Sequence, residues 1–370
     1  MKRIILLSFF LLLSCTRESE KILEYREVFV NKRCIDVPGK FPRISGVIGD
    51  TILITGYDAP LFAVGIKNGF MDTVAIDGEG PGEKSGVPSS DAYDDKLYLA
   101  VNLKHKLMTF DLKNLSFIKE VRLVTFFNGF QMENDSIGVF AAMTPEAYDC
   151  LFFTINIDNG EIINKFGKPI LYPKKSNKLP EWQKYLKMFY KFDIRDSILV
   201  FYDSFHNRFC VYNVFTGEKI KSFGRRFKGW SIPPVKFYRG NNYMPSTYAV
   251  ASGVLPFFSN CIKITEKYIF ALMGKAWLKG WNIIHEGMEI EDMIKVYSNR
   301  YYFIDVYSRR DYSYIGTIYP FDSQIMDNSL DECWYIDKFD VEEENLIDLY
   351  FLGYSSGLIC IKRVRIEVRL

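Results

Sequence analysis

The chain has 370 residues, 48% of them hydrophobic, 16% aromatic and 25% charged. Its formal charge of +2 falls to about zero once Lys2 and Arg3 are set aside, which excludes the net basic footprint that nucleic-acid binding requires. The 31 Phe and 24 Tyr favour β structure, because bulky rings fit a pleated surface. Residues 1–15 read MKRIILLSFFLLLSC, two positive charges followed by an apolar run from Ile4 to Leu13. That run is too short for a stable membrane-spanning helix and has the pattern of a secretory signal.

Leu12-Leu13-Ser14-Cys15 resembles the bacterial lipobox. The resemblance implies that Cys15 is lipidated and becomes the first residue of the mature chain. Several acyl chains on one cysteine make a durable anchor, at about 0.8 kcal/mol per buried methylene. Residues 16–23 read as a polar tether. Thr16, where Asp would favour inner-membrane retention, implies the outer membrane, with the body facing the periplasm or the exterior. Six further cysteines form no CxxC pair, so no zinc-ribbon or redox signature is present. Cys210 and Cys360 lie in apolar strand runs and read as small buried hydrophobes; an oxidising compartment would permit a disulfide, and spacing alone does not assign it.

From about residue 24 a single pattern recurs. Strand, polar loop, strand, tight turn, strand is an up-and-down meander. The copies start near Asp50, Asp95, Asp135 and Asp196, a fifth begins at KYIFALMG, and a sixth ends the chain with ENLIDLYFLG and LICIKRVRIEV. Turns are expected at Asn68-Gly69, Asn114, Asn159-Gly160, Thr216-Gly217 and Arg310-Asp311. A fourth apolar segment precedes most copies, as at Phe126–Met132, Phe257–Ile264 and Trp334–Val341. Four strands in each of six repeats predict an all-β fold, a six-bladed β-propeller over 24–370. The last copy lacks an outermost strand, and Tyr25–Val30 is the candidate to supply it and close the ring.

The pattern of a strand, Asp, a short polar loop and two strands ending in Phe-Gly resembles the NHL and TolB-like six-bladed propellers. The loop Asp77-Gly78-Glu79-Gly80-Pro81-Gly82-Glu83 resembles a Gly-Pro-Gly-Glu loop of six-bladed propeller lipoproteins. That loop lacks the Walker GK[ST] and reads as a tight crossing between blades rather than a phosphate cradle. The resemblance implies the fold; it does not imply one activity, because propellers host binding, scaffolding and catalysis alike.

Strands of a blade are named A to D from the axis outward. All the long insertions fall in B–C loops or D–A crossings, which share one face: Lys168–Lys187, Arg225–Val254 and Lys275–Asn299. Long loops on a rigid scaffold are where binding residues sit. Trp230, Trp277 and Trp281, with Tyr57, Asp58, Tyr202 and Asp203, form the expected binding face, since Trp and Tyr are enriched at hot spots. The same rings can instead pack the inserts together as a cap. The expected function is a lipid-anchored envelope binding module for a protein or glycan. The three histidines, His105, His206 and His285, all fall in B–C loops. Some lyases on NHL-like propellers hold zinc with three histidines, and lactonase-type propellers hold a divalent cation such as calcium, so a metal-dependent lyase or hydrolase at the central mouth is the first alternative. A purely structural envelope protein is the second. No nucleophile elbow, HExxH or paired-carboxylate motif is present.

Overall fold

The computed structural model describes residues 21–36, 40–57, 59–78, 80–86, 88–143, 148–171, 191–203, 206–225, 227, 257–276, 300–320, 333–355 and 358–370. The strands are β1 (Tyr25–Ile35), β2 (Lys40–Ile48), β3 (Thr51–Tyr57), β4 (Leu61–Gly65), β5 (Met71–Ala75), β6 (Ser89–Tyr93), β7 (Lys96–Val101), β8 (Lys106–Asp111), β9 (Phe117–Arg122), β10 (Phe127–Met132), β11 (Ile137–Ala142) and β12 (Phe152–Asn156). They continue with β13 (Ile162–Phe166), β14 (Phe192–Arg195), β15 (Ile198–Asp203), β16 (Arg208–Asn213), β17 (Lys219–Phe223), β18 (Phe257–Ile264), β19 (Tyr268–Ala276), β20 (Arg300–Ser308), β21 (Tyr314–Ile318), β22 (Cys333–Glu343), β23 (Leu346–Ser355) and β24 (Leu358–Val368).

These strands make six antiparallel four-stranded sheets. Five are consecutive meanders, from β2–β5 to β18–β21, and the sixth has the order β22-β23-β24-β1. Each inner strand touches the inner strand of the next sheet, and β22 touches β2, so the sheets form a closed ring. The fold is therefore the six-bladed β-propeller that the repeat pattern predicts. The N-terminal strand completes blade 6 as expected, and it is longer than expected, running to Ile35.

A propeller has no single core. Six apolar clusters of described residues each lie at one junction between neighbouring blades. Val139, Phe152 and Phe166 of blade 3 meet Phe192, Phe201 and Tyr212 of blade 4, for example. The middle strands are sandwiched on both sides, which explains why β4 (LFAVG) is buried at every residue and reads as an apolar run rather than an alternation. Outer strands such as β9 are mostly exposed.

Antiparallel meanders put alternate connections on opposite faces. The A–B turns are two to four residues long, and the C–D turns at 66–70, 112–116, 157–161, 214–218 and 309–313 are each five. In all five C–D turns one residue is left-handed: Gly69, Leu115, Gly160, Gly217 and Tyr312, with φ between 56° and 78°. Gly160 could not carry a Cβ, which would lie 2.3 Å from the Arg122 carbonyl oxygen. On the other face the connections reach 33 residues, at 224–256. The one-sided elaboration predicted from the insertions is present.

Two features tie the chain's start into the ring. Ile22 forms a parallel bridge to Thr317, and the Leu23 amide donates to the Thr317 carbonyl at 2.8 Å. Leu23 is buried among residues of blades 5 and 6. It fits because Gly316 has no side chain: a Cβ there would lie 2.6 Å from Leu23 Cγ and 2.9 Å from the Lys21 carbonyl oxygen. Gly316→Ala is expected to cost about 1–3 kcal/mol and to speed proteolysis beside Lys21, measured by limited trypsin digestion. Unchanged cleavage would show that this docking contributes nothing.

The second tie is covalent. Cys34 and Cys360 face each other in the β1–β24 register and form a disulfide spanning 326 positions of sequence. Cys360 is thus half of a cross-link and not the isolated buried hydrophobe its apolar run suggests. Cys150 and Cys210 are buried free thiols. Among the described residues no helix is long and apolar enough to cross a membrane.

Candidate functional site

The inner strands have one unpaired edge, which faces the axis, and its polar backbone groups need partners. A belt of side chains supplies some of these partners and joins all six blades. Ser45 Oγ of blade 1 donates to the Pro88 carbonyl of blade 2 at 2.8 Å and lies 3.2 Å from Ser90 Oγ. Asp91 of blade 2 accepts the Met132 amide of blade 3 at 2.7 Å. Gln131 Nε2 of blade 3 donates to Asp193 Oδ1 of blade 4 at 2.9 Å. Asp193 Oδ2 accepts the Ile264 amide of blade 5 at 2.6 Å. Lys263 of blade 5 pairs with Asp340 of blade 6 at 3.1 Å, and Lys338 Nζ of blade 6 donates to the Ser45 carbonyl at 2.9 Å, closing the circle.

Burial pushes the Asp91 carboxyl up, and pushes that of Asp193 up to about 6 despite the pull of Lys263, the Ile264 amide and Gln131. Burial alone would lower the Lys263 ammonium, but Asp340, Asp193 and Asp91 outweigh it and hold the ammonium above its usual range. The belt is thus a rigid, charged girdle that fixes the blade angles beneath the elaborated face. Its inner strands carry bulges at Ser45, Asn128, Asn260 and Asp337, each a polar residue skipped by the register.

On the elaborated face, blades 2 and 3 bring together an apolar cluster from short connections. A 3-10 turn over Asn102–Lys104 in the blade 2 B–C loop presents Leu103. The crossing at 123–126 presents Val124 and Phe126, and Met143 follows β11. These four side chains are 40–70% exposed. The backbone beneath them is fixed. Asn102 Oδ1 accepts the Phe127 amide at 3.1 Å, and its Nδ2 lies 3.3 Å from Met143 Sδ. The Met143 amide donates to the Phe126 carbonyl at 3.1 Å, and Tyr148 Oη accepts the Phe126 amide at 3.3 Å. His105 sits at φ 50°, held by hydrogen bonds at both its amide and its carbonyl, with its ring edge-on to Phe126 at 4.0 Å. An ordered backbone spares a partner the cost of fixing these connections, leaving only the side-chain rotamers to be ordered on binding.

The residues expected to form the binding face divide into two groups. Trp230, Trp277, Trp281, Asp58 and His285 lie outside the described residues, and so does the side chain of Tyr57, whose backbone ends β3. Tyr202 and Asp203 are buried at the end of β15, where they brace the blade 4 B–C loop. Tyr202 Oη donates to Asn207 Oδ1 at 2.7 Å. Asp203 accepts the His206 amide at 3.1 Å and lies 2.7 Å from His206 Nδ1, with Arg208 Nε at 3.4 Å. His206 is therefore oriented by a carboxylate, whereas His105 packs on a phenyl ring. They stand in the loops of two non-adjacent blades, and among the described residues no three His, Cys, Asp or Glu group as a metal site. Cys15 also lies outside the described residues.

Two other sequence features are resolved in structural terms. The glycine-rich crossing is internally satisfied. The Gly80 amide donates to Glu83 Oε2 at 2.6 Å, the fully buried Lys84 donates to the Gly86 carbonyl at 2.9 Å, and Lys106 donates to the Gly80 carbonyl at 3.0 Å. A Cβ on Gly78 would lie 2.1 Å from Glu83 Oε2, so the glycine makes room for that carboxylate. The long 224–256 connection is rooted by Arg225, whose Nε donates to the buried Asp305 at 2.9 Å while its guanidinium stacks on Phe227 at 4.6 Å.

No family model matches the chain. No curated protein matches it either. Among solved structures it is similar to a protein of Bacteroides fragilis NCTC 9343 described as exported, with a TM-score of 0.51 and 15% identity over 95% of this chain and 97% of that one. It is also similar to Kuenenia stuttgartiensis hydrazine synthase, with a TM-score of 0.44 and 12% identity over 82% and 73% of the two chains. The β-propeller domain of Myceliophteria thermophila Cps50 (Swd1) gives 0.44 and 12% over 89% and 98%. At 15% identity the first likeness extends to the fold alone.

Proposed function

We propose that the protein is a lipid-anchored cell-envelope binding module that engages a protein partner through its elaborated face. The observation that carries this reading is the set of four exposed apolar residues, Leu103, Val124, Phe126 and Met143, on neighbouring connections of that face whose backbones are tied together by hydrogen bonds. Apolar surface of this kind, rimmed by polar residues, marks interaction sites. Aliphatic and thioether groups suit a protein surface better than a glycan, which needs polar forks around an aromatic platform. Export fits the signal-like leader and the Cys34–Cys360 disulfide, since disulfides persist in oxidising compartments. A fold neighbour described as exported agrees with this.

The test is cross-linked purification of the anchored protein from membranes, beside Phe126→Asp/Met143→Asp and Trp230→Ala/Trp277→Ala variants of unchanged melting temperature. The expected result is one partner recovered with the wild type and lost from the Phe126/Met143 variant, at a cost above about 2 kcal/mol in affinity. Equal recovery from that variant, or no partner from any of the three, contradicts the reading.

A further inference from the structure

The outermost strand of blade 6 differs from the other outer strands. In β1, five successive residues, Arg26 to Val30, are exposed. Neighbouring residues of a strand point to opposite sides, so at this end β1 projects beyond the cover of either flanking blade. Three of the five are apolar. Val28, Phe29 and Val30 are 40–51% exposed, and Ile22, just upstream, is exposed as well. Described outer strands elsewhere expose at most two consecutive large apolar residues, as at Phe117-Ile118. The register shift between Glu27 and Phe29 bulges the strand at Val28.

The position of this patch identifies what covers it. The chain docks onto the ring at Ile22–Leu23, beside Thr317 on the rim between blades 5 and 6. Five residues lie between Cys15 and Lys21, and fully extended these six Cα steps span only about 20 Å. A lipid on Cys15 therefore keeps this rim within about 20 Å of the bilayer. Charges flank the patch: β1 carries Lys32 and Arg33 beyond it, Arg26 is paired with Glu367 and Glu24 with Arg369, and Glu27 is exposed within it. Basic residues with exposed bulky apolar side chains are the composition of an interfacial surface.

We propose that Ile22, Val28, Phe29 and Val30 rest in the surface of the phospholipid bilayer that holds the anchor, so that the propeller stands edge-on. This rests on the lipid-anchor reading. Edge-on docking leaves the elaborated face open sideways to a partner in the same envelope layer.

The experiment places a photoreactive benzoylphenylalanine at position 29 of the full chain in its native envelope, with position 163 as the control. Ile163 is equally exposed but lies on the outer strand of blade 3, opposite blade 6. A second probe at position 30 covers loss of folding at 29, and acylation of Cys15 is read separately with labelled fatty acid. The expected result is phospholipid adducts at 29 and 30 and none at 163. Acylated protein with no lipid adduct at 29 and 30, with equal adducts at 163, or with protein adducts in place of lipid overturns the docking surface and leaves the anchor standing. Protein that is neither acylated nor lipid-linked at 29 and 30 overturns both. Lipid adducts at 29 without acylation support the surface and remove the anchor.

Discussion

Replacing Cys34 or Cys360 with Ser is expected to lower the unfolding midpoint by roughly 5–10 °C. The disulfide closes a loop of nearly the whole chain, with 326 positions between its ends. Cross-linking so long a loop restricts the unfolded chain strongly, and a contribution of about 3–5 kcal/mol follows. In a domain of this size each kcal/mol shifts the midpoint by about 2 °C. The location adds to the effect. β1 is the one strand that reaches its sheet from the far end of the chain, so its pairing with β24 adds a second closure to the β22–β2 contact between blades 6 and 1. Cys34 is on the exposed side of this pair and Cys360 is buried. Reductant should reproduce the loss in the wild type and leave both variants unchanged, and the double variant should match the singles. Calorimetry with and without dithiothreitol checks all three; an unaltered wild-type midpoint on reduction would show that strand pairing alone closes the ring.

Asp193→Ala should cost about 2–4 kcal/mol, whereas Asp193→Asn should stay close to the wild type near pH 7. Asp193 is buried and satisfies two donors from neighbouring blades, Gln131 Nε2 and the Ile264 amide. Alanine strands both, and each buried donor left unpaired costs about 1–3 kcal/mol. Asparagine keeps an acceptor for Ile264. It also offers a donor to Gln131 Oε1, which is buried without a hydrogen-bond partner among the described residues. The pH dependence separates this account from simple loss of packing. The folded carboxyl titrates at about 6, above the ordinary value of 3.8. Between those values the native state holds the proton more tightly than the unfolded state, so this group's stabilisation is full below about 4 and is lost as pH rises through 6. Chemical denaturation from pH 4 to 7 should show that decline in the wild type relative to a flatter Asp193→Asn. Parallel curves would refute the assignment.

The parts of the fold legible in the sequence are those whose environment is uniform. Sandwiched middle strands must be apolar on both sides, so runs such as ILVFYD and LFAVG stand out. C–D turns need a left-handed residue, so Asn159-Gly160 and Thr216-Gly217 announce themselves. The inner strands of blades 1 and 2 were not legible. KFPRISGVI and SSDAY carry Ser45, Ser90 and Asp91 where a buried strand would show apolar residues, because their partners are the polar edges of adjacent blades around the axis. No linear pattern marks a belt whose members lie on six strands.

The exposed cluster was hidden for the opposite reason. Phe126 and Met143 read as parts of apolar strand segments, and Leu103 and Val124 fall in short connections between strands; only the fold shows that all four turn outward on one face. His105, picked out as a metal-ligand candidate by its rarity, joins this cluster through Phe126. Tyr202 and Asp203, picked out for the binding face, lie beneath the loop they brace. A sequence signal was available in Val124 and Phe126, two large apolar residues within a crossing of four.

The most direct measurement of one-sided binding is hydroxyl-radical footprinting of the protein in intact envelopes against the purified protein. Oxidation of Met143, Phe126 and Leu103 should fall in the envelope, while Phe215, exposed in a C–D turn of the opposite face, reacts equally in both. Equal oxidation of the three cluster residues in both samples, or protection centred on Phe215, would contradict binding through the elaborated face.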